Sequence, residues 1–156
     1  MGRLARGVST GALLGGYGRA SYAGTCAPSA LGVYQCAGAA NVATDITQGF
    51  APGGTADIVV TSDPDFGLDT RVTGGDGISA SGSSGNIMIT TSGVVAAEDG
   101  VRARAIGNFY DYDGDITITA HDVSGGTTGI STYTYLYGDT TIDTTAGTVL
   151  GGVAGH

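Results

Sequence analysis

Apolar and polar side chains alternate along this chain in short bursts, and the bursts recur. Asp57-Ile58-Val59-Val60-Thr61 returns as Asn86-Ile87-Met88-Ile89-Thr90, as Asp115-Ile116-Thr117-Ile118-Thr119 and, loosely, as Asp139-Thr140-Thr141-Ile142-Asp143, at intervals of 24 to 29 residues. A second phrase keeps step with it: Gly77-Ile78-Ser79-Ala80, Gly100-Val101-Arg102-Ala103 and Gly129-Ile130-Ser131-Thr132. Inside each burst the apolar positions stand two apart, the period of a strand with one face buried. Turns rich in Gly and Asp, such as Gly74-Gly75-Asp76-Gly77 and Ser124-Gly125-Gly126, separate the bursts. Repeats of this length mark an architecture in which successive units bury each other's apolar face. The predicted fold is all-β, with about three short strands per unit, each pairing in parallel with its counterpart one unit away, in a β-helix of about three to four turns. A meander of hairpins is the alternative. It fits less well, because the matching phrases lie one unit apart and not on neighbouring strands, and two-residue hairpin turns flanked by alternating strands are missing.

Laying the units over one another predicts columns of side chains. Ile58, Ile87, Ile116 and Thr140 are expected inside, beside a second column of Val60, Ile89, Ile118 and Ile142 and a third of Ile78, Val101 and Ile130. The intervening positions then face outward, with Val59, Met88, Thr117 and Thr141 in one file and Thr61, Thr90, Thr119 and Asp143 in the next.

Composition supports strand over helix. Gly accounts for 30 of 156 residues, far above average usage of about 7%, and Gly weakens a helix interior by about 1 kcal/mol against Ala. Residues 1–25 read as a leader, 26–54 as an N-terminal cap and 55–156 as the repeats. The leader is basic at Met1-Gly2-Arg3-Leu4-Ala5-Arg6, then weakly apolar to Leu14, and Ser21-Tyr22-Ala23 would suit a cleavage site. This pattern fits an export signal or a flexible leader. Cys26 and Cys36 are the two cysteines. In an exported chain an even pair this close reads as one disulfide; two unpaired buried thiols are the alternative, and zinc wants four ligands where His121 and His156 lie far off. Fourteen acidic residues stand against six Arg and no Lys, for a net charge of −8. Nucleic acid is therefore not an expected partner, because affinity there comes from neutralising phosphates. No apolar run reaches the 18 or more residues of a membrane span.

The Gly-Ile-x-Ala phrases, the Gly-[Asn/Asp]-x-x-Ile phrases between them, the terminal Gly-Thr-Val-Leu-Gly-Gly and the early Cys26, Tyr34, Cys36 and Gly38 resemble the N-terminal part of a proteobacterial autotransporter passenger domain, over roughly residues 26–156. The resemblance implies a right-handed β-helix that is secreted, displayed at the bacterial cell surface and delivered by a C-terminal translocator barrel in the outer membrane. The chain departs from that pattern in one respect: nothing after residue 130 supplies the series of about ten-residue alternating strands a barrel requires.

Several local patterns invite chemistry. Asp111, Asp113 and Asp115 alternate, so an extended strand would put three carboxylates on one face, as an acid/base pair of a polysaccharide-acting enzyme or as calcium ligands. Asp-Tyr-Asp-Gly-Asp is equally a solvated turn between units, and it lacks the distal Glu of an EF-hand loop. Gly7-Val8-Ser9-Thr10-Gly11 matches a hydrolase elbow with no strand before it, and Gly75 to Ala80 matches a dinucleotide fingerprint that is followed by a strand. Gly74 to Ser79 approaches a calcium nonapeptide but has Ser79 where Asp is needed. His121-Asp122 would need spatial partners to act as a triad. No catalytic residue and no cofactor is assigned.

The outward face carries the stronger candidate. Alternation puts Arg102 and Arg104 outside, with Tyr133, Tyr135 and Tyr137 outside one unit later, and the Gly100/Gly129 register sets Arg104 over Tyr133. Such a ladder is either structural or a contact platform for a host surface or glycan. The threonine file could order water as ice-binding surfaces do, but Met88 and Asp143 interrupt it and strand propensity explains the Thr content. The expected function is an exported structural or adhesive passenger without catalysis. A polysaccharide-acting β-helix enzyme and a fibre subunit associating through the β-helix ends are the competing classes.

Overall fold

A computed structural model describes residues 23–107, 114–151 and 153–155. Thirteen strands and no helix occupy the described residues: β1 (Thr25–Ala30), β2 (Val33–Ala37), β3 (Gln48–Phe50), β4 (Ile58–Ser62), β5 (Leu68–Asp69), β6 (Ile78–Gly82), β7 (Ile87–Ala96), β8 (Asp99–Ala105), β9 (Ile116–Gly125), β10 (Thr128–Thr134), β11 (Thr140–Asp143), β12 (Val149–Leu150) and β13 (Val153–Gly155). They stack as a parallel β-solenoid of about four turns, each turn rising onto the one before it through parallel pairing. One stack runs β2-β4-β7-β9-β11, and another runs β3-β6-β8-β10-β13. A third wall is formed where β5 pairs with the second half of β7, and β12 with the second half of β9. Among the described residues no helix is long and apolar enough to cross a membrane.

The repeated phrases fall in register. Ile58 pairs with Ile87, Ile87 with Ile116 and Ile116 with Thr140, while Val60, Ile89, Ile118 and Ile142 make the second column. Ile78, Val101 and Ile130 make the third. All of these aliphatic side chains are fully buried except Ile142, which is half-buried, and Thr140 stays in its column but is exposed. No described strand stacks on β11, so the outer side of its column has no apolar neighbour to bury against. A fourth column, Leu68, Val94, Val123 and Val149, lines the third wall.

Two long strands turn a corner without breaking. β7 bends at Gly93, where φ is +64°, and a Cβ there would stand 2.6 Å from the Phe66 carbonyl oxygen. One coil later Asp122 occupies the corner at φ +50°, a left-handed conformation that Asp tolerates better than most residues. Its carboxylate accepts the Thr148 N–H at 3.2 Å, tying the corner to the next coil.

The N-terminal end is closed differently. β1 pairs antiparallel with β2 through the Leu31-Gly32 turn, so the one hairpin among the described strands lies across the outer edge of the first coil. Covering that edge hides a row of backbone groups that would otherwise template pairing with another chain. Cys26 and Cys36 face each other across this hairpin and are joined in a disulfide. Tyr34, at the foot of the Val60-Ile89-Ile118 column, meets Phe50 with ring centroids 4.5 Å apart, plugging the end of the core with the bulk that the small-residue coils lack. Asp45 is also buried, and it accepts backbone N–H groups from Gly24, Asn41 and Asp69 at 2.8 to 3.1 Å. A carboxylate so placed satisfies donors that would otherwise be stranded.

Candidate binding surface

The outward residues of β6, β8 and β10 form two short files, Ser79-Arg102-Ser131 and Ser81-Arg104-Tyr133. Strand parity produces them. Ile78, Ala80, Val101, Ala103, Ile130 and Thr132 are buried on the inner side, which leaves the alternate positions partly or fully open. Arg104 and Tyr133 stand opposite each other in neighbouring strands, and the guanidinium carbon lies 5.7 Å from the ring centroid. This is cation–π range, worth about 0.5 to 1 kcal/mol where exposed.

Arg102 is held in another way. Its Nη1 lies 3.4 Å from an Asp76 carboxylate oxygen, and Asp76 is itself nearly buried, with its other oxygen accepting the Asp99 N–H at 3.3 Å. The Asp76 carbonyl accepts the Thr47 hydroxyl at 2.6 Å, so the anchor is fixed by the preceding coil. This anchor is not legible in the sequence, since Asp76 sits in a Gly-rich turn.

Tyr135 and Tyr137 do not continue the ladder. β10 ends at Thr134 because its partner β8 ends at Ala105, and the last pairing contact is the Tyr135 N–H donating to the Ala105 carbonyl at 3.2 Å. The chain bends over Tyr135, Leu136 and Tyr137, which remain 46%, 39% and 72% exposed. A strip results: Arg104 and Tyr133 on the strand face, then three large side chains on the adjoining bend.

The other candidates resolve unevenly. Asp111 and Asp113 lie outside the described residues, as do the Gly7 to Gly11 pattern and His156. Asp115 is exposed, and its carboxylate accepts the Asp139 N–H at 2.9 Å. Among the described residues no group of three or more His, Cys, Asp or Glu side chains converges as metal ligands would. His121 lines a cleft of about 310 Å³ with Asp63, Thr90 and Ser92. Ser92 and His121 are register neighbours there, but no side-chain hydrogen bond joins them, and Asp63 accepts instead from the Gln35 amide at 2.8 Å. The carboxylate of Asp122 faces the next coil rather than His121. No protein-family model matches the chain, and no curated protein or solved structure matches it either.

Proposed function

We propose that this solenoid is a non-catalytic, exported display module, autotransporter-passenger-like in character, whose Arg104-Tyr133 strip contacts glycan on a host or neighbouring cell surface. The observation that carries this reading is the placement of Arg104 over Tyr133 beside Tyr135 and Tyr137. Three of the chain's eight tyrosines thus gather at one exposed place. The aromatic residues Tyr34, Phe50 and Phe66 are partly or fully withdrawn into the core, whereas Tyr133 is half-exposed and Tyr135 and Tyr137 are exposed. Exposed tyrosines with an adjacent arginine supply a flat apolar area with polar edges at small entropic cost. The Cys26–Cys36 disulfide agrees with an oxidising destination.

Adhesion of the purified chain to glycan-coated surfaces tests the reading. A Tyr133→Ser/Tyr135→Ser double variant is expected to lose adhesion by about tenfold or more, from the roughly 1 to 2 kcal/mol that each exposed aromatic contact supplies. Undiminished adhesion in a folded double variant would remove the strip from the account.

A further inference from the structure

We infer that the strip selects a carboxylate-bearing sugar unit, with the Arg104 guanidinium taking the carboxylate and the tyrosine rings taking the apolar face of the pyranose. The inference rests on the contact-surface reading above and narrows it to acidic saccharides.

Charge pairing singles out Arg104. Among the described residues there are three arginines, and two of them are neutralised in place: Arg71 by Asp69 at 2.6 Å and Arg102 by Asp76 at 3.4 Å. Arg104 has no such carboxylate among the described residues; its contact is the Tyr133 ring. Of the three described arginines, the one on the aromatic strip is thus the one without a carboxylate partner among the described residues. A guanidinium is a rigid fork of N–H donors, and a carboxylate is the planar, bidentate acceptor whose geometry matches that fork.

The surroundings suit a sugar rather than a bare anion. Ser81 lies in the Arg104 file one coil earlier, and Ser79 and Ser131 lie in the neighbouring file, so hydroxyl donors and acceptors flank the guanidinium. The Tyr135 and Tyr137 side chains are exposed at the adjoining bend, where the C–H face of a pyranose ring can pack on an aromatic face. A carboxylate, several hydroxyls and an apolar ring face coincide in uronic and related sugar acids.

Calorimetric titration of the full chain with a mannuronate hexamer, with the same hexamer after carboxyl reduction to mannose, and with oligoglutamate separates the alternatives. The wild type is expected to favour the acidic hexamer over the reduced one by about tenfold, the effect of one charge-assisted bidentate contact at an exposed site. Arg104→Gln is expected to erase that preference, so that the two hexamers bind equally, with an unchanged unfolding midpoint as the control for folding. Equal wild-type affinity for the two hexamers, a preference that survives Arg104→Gln, or oligoglutamate bound as tightly as mannuronate would overturn acidic-sugar selection. In those cases the contact surface would stand if Tyr133→Ser/Tyr135→Ser still abolished hexamer binding. Binding of neither hexamer would overturn both.

Discussion

The side-chain oxygen of Asn86 accepts the backbone N–H of Asp115 at 3.0 Å, one coil above it. Asp57 does the same for the Asn86 N–H at 2.8 Å, and Asp115 for the Asp139 N–H at 2.9 Å. The backbone answers in the other direction: the N–H groups of Ile58, Ile87 and Ile116 donate at 2.8 Å to the carbonyls of Asn86, Asp115 and Asp139. Each coil is thus clipped to the next where its first strand begins, which fixes the register that stacks isoleucine on isoleucine.

Asn86→Ala removes one clip and is expected to lower stability by about 1 kcal/mol, the usual worth of a single hydrogen bond. Asn86→Asp keeps an acceptor but adds a charge between Asp57 and Asp115, so its smaller loss is expected to shrink as salt screens the repulsion. Urea unfolding of both variants at low and high salt checks this, and an Ala variant as stable as wild type would show that the clips carry no energy.

Gly114→Ala tests how closely the coils approach. A Cβ at Gly114 would stand 1.9 Å from the Gly85 carbonyl oxygen, which is backbone and cannot swing aside, whereas a Cβ at Gly49 would meet nothing within 4 Å. The expected loss is about 3 kcal/mol or more at Gly114 and within about 0.5 kcal/mol at Gly49. Similar unfolding midpoints for the two variants would contradict the stacking distance.

Thr91→Val is expected to stabilise the chain by about 1 kcal/mol. The Thr91 hydroxyl is buried inside the corner opposite Ala120 and has no hydrogen-bond partner, so replacing it with a methyl group removes a desolvated polar atom without changing shape. Thermal unfolding reads the sign directly, and a destabilised variant would mean that the hydroxyl is satisfied.

Acid weakens the fold through at least two carboxyls. The Arg71 hydrogen bond holds the nearly buried Asp69 carboxyl below its ordinary value of 3.8, and hydrogen bonds from the Thr145 N–H and hydroxyl lower that of Asp143. Both are depressed in the folded chain, so their contribution is complete above the ordinary value and is lost as pH falls below it through the lowered folded values. The urea midpoint is expected to be flat with respect to these groups near neutrality and to drop below about pH 4. Arg71→Gln is expected to make that drop shallower; an unaltered profile would remove Asp69 from the cause.

Much of the stacking was legible in the sequence, because a parallel coil copies its apolar pattern at fixed spacing. Ile58, Ile87 and Ile116 announce their own alignment, and the Gly100/Gly129 match placed Arg104 on Tyr133. The clips were half-visible, since the repeated phrases begin with Asp or Asn, but a shared first residue does not say that its side chain reaches the next backbone. Three strands per unit were expected, but the position of the third was hidden because a loop separates β4 from β5, whereas β7 and β9 run on continuously past Gly93 and Asp122. The parallel pairing of β2 with β4 and of β3 with β6 was hidden too. Val33 to Ala37 and Gln48 to Phe50 share shape with later coils but not wording. Tyr135 and Tyr137 were placed on the strand by alternation, which cannot foresee that pairing stops with β8.

Hydroxyl-radical footprinting of the wild-type chain, with and without the mannuronate hexamer, tests most directly whether the tyrosine strip is the contact surface. Met88, 43% exposed on the face of a different stack, serves as an internal reference. Ligand is expected to protect Tyr133, Tyr135 and Tyr137 from modification while Met88 reacts as before. Protection of Met88 with the tyrosines unchanged would contradict that expectation.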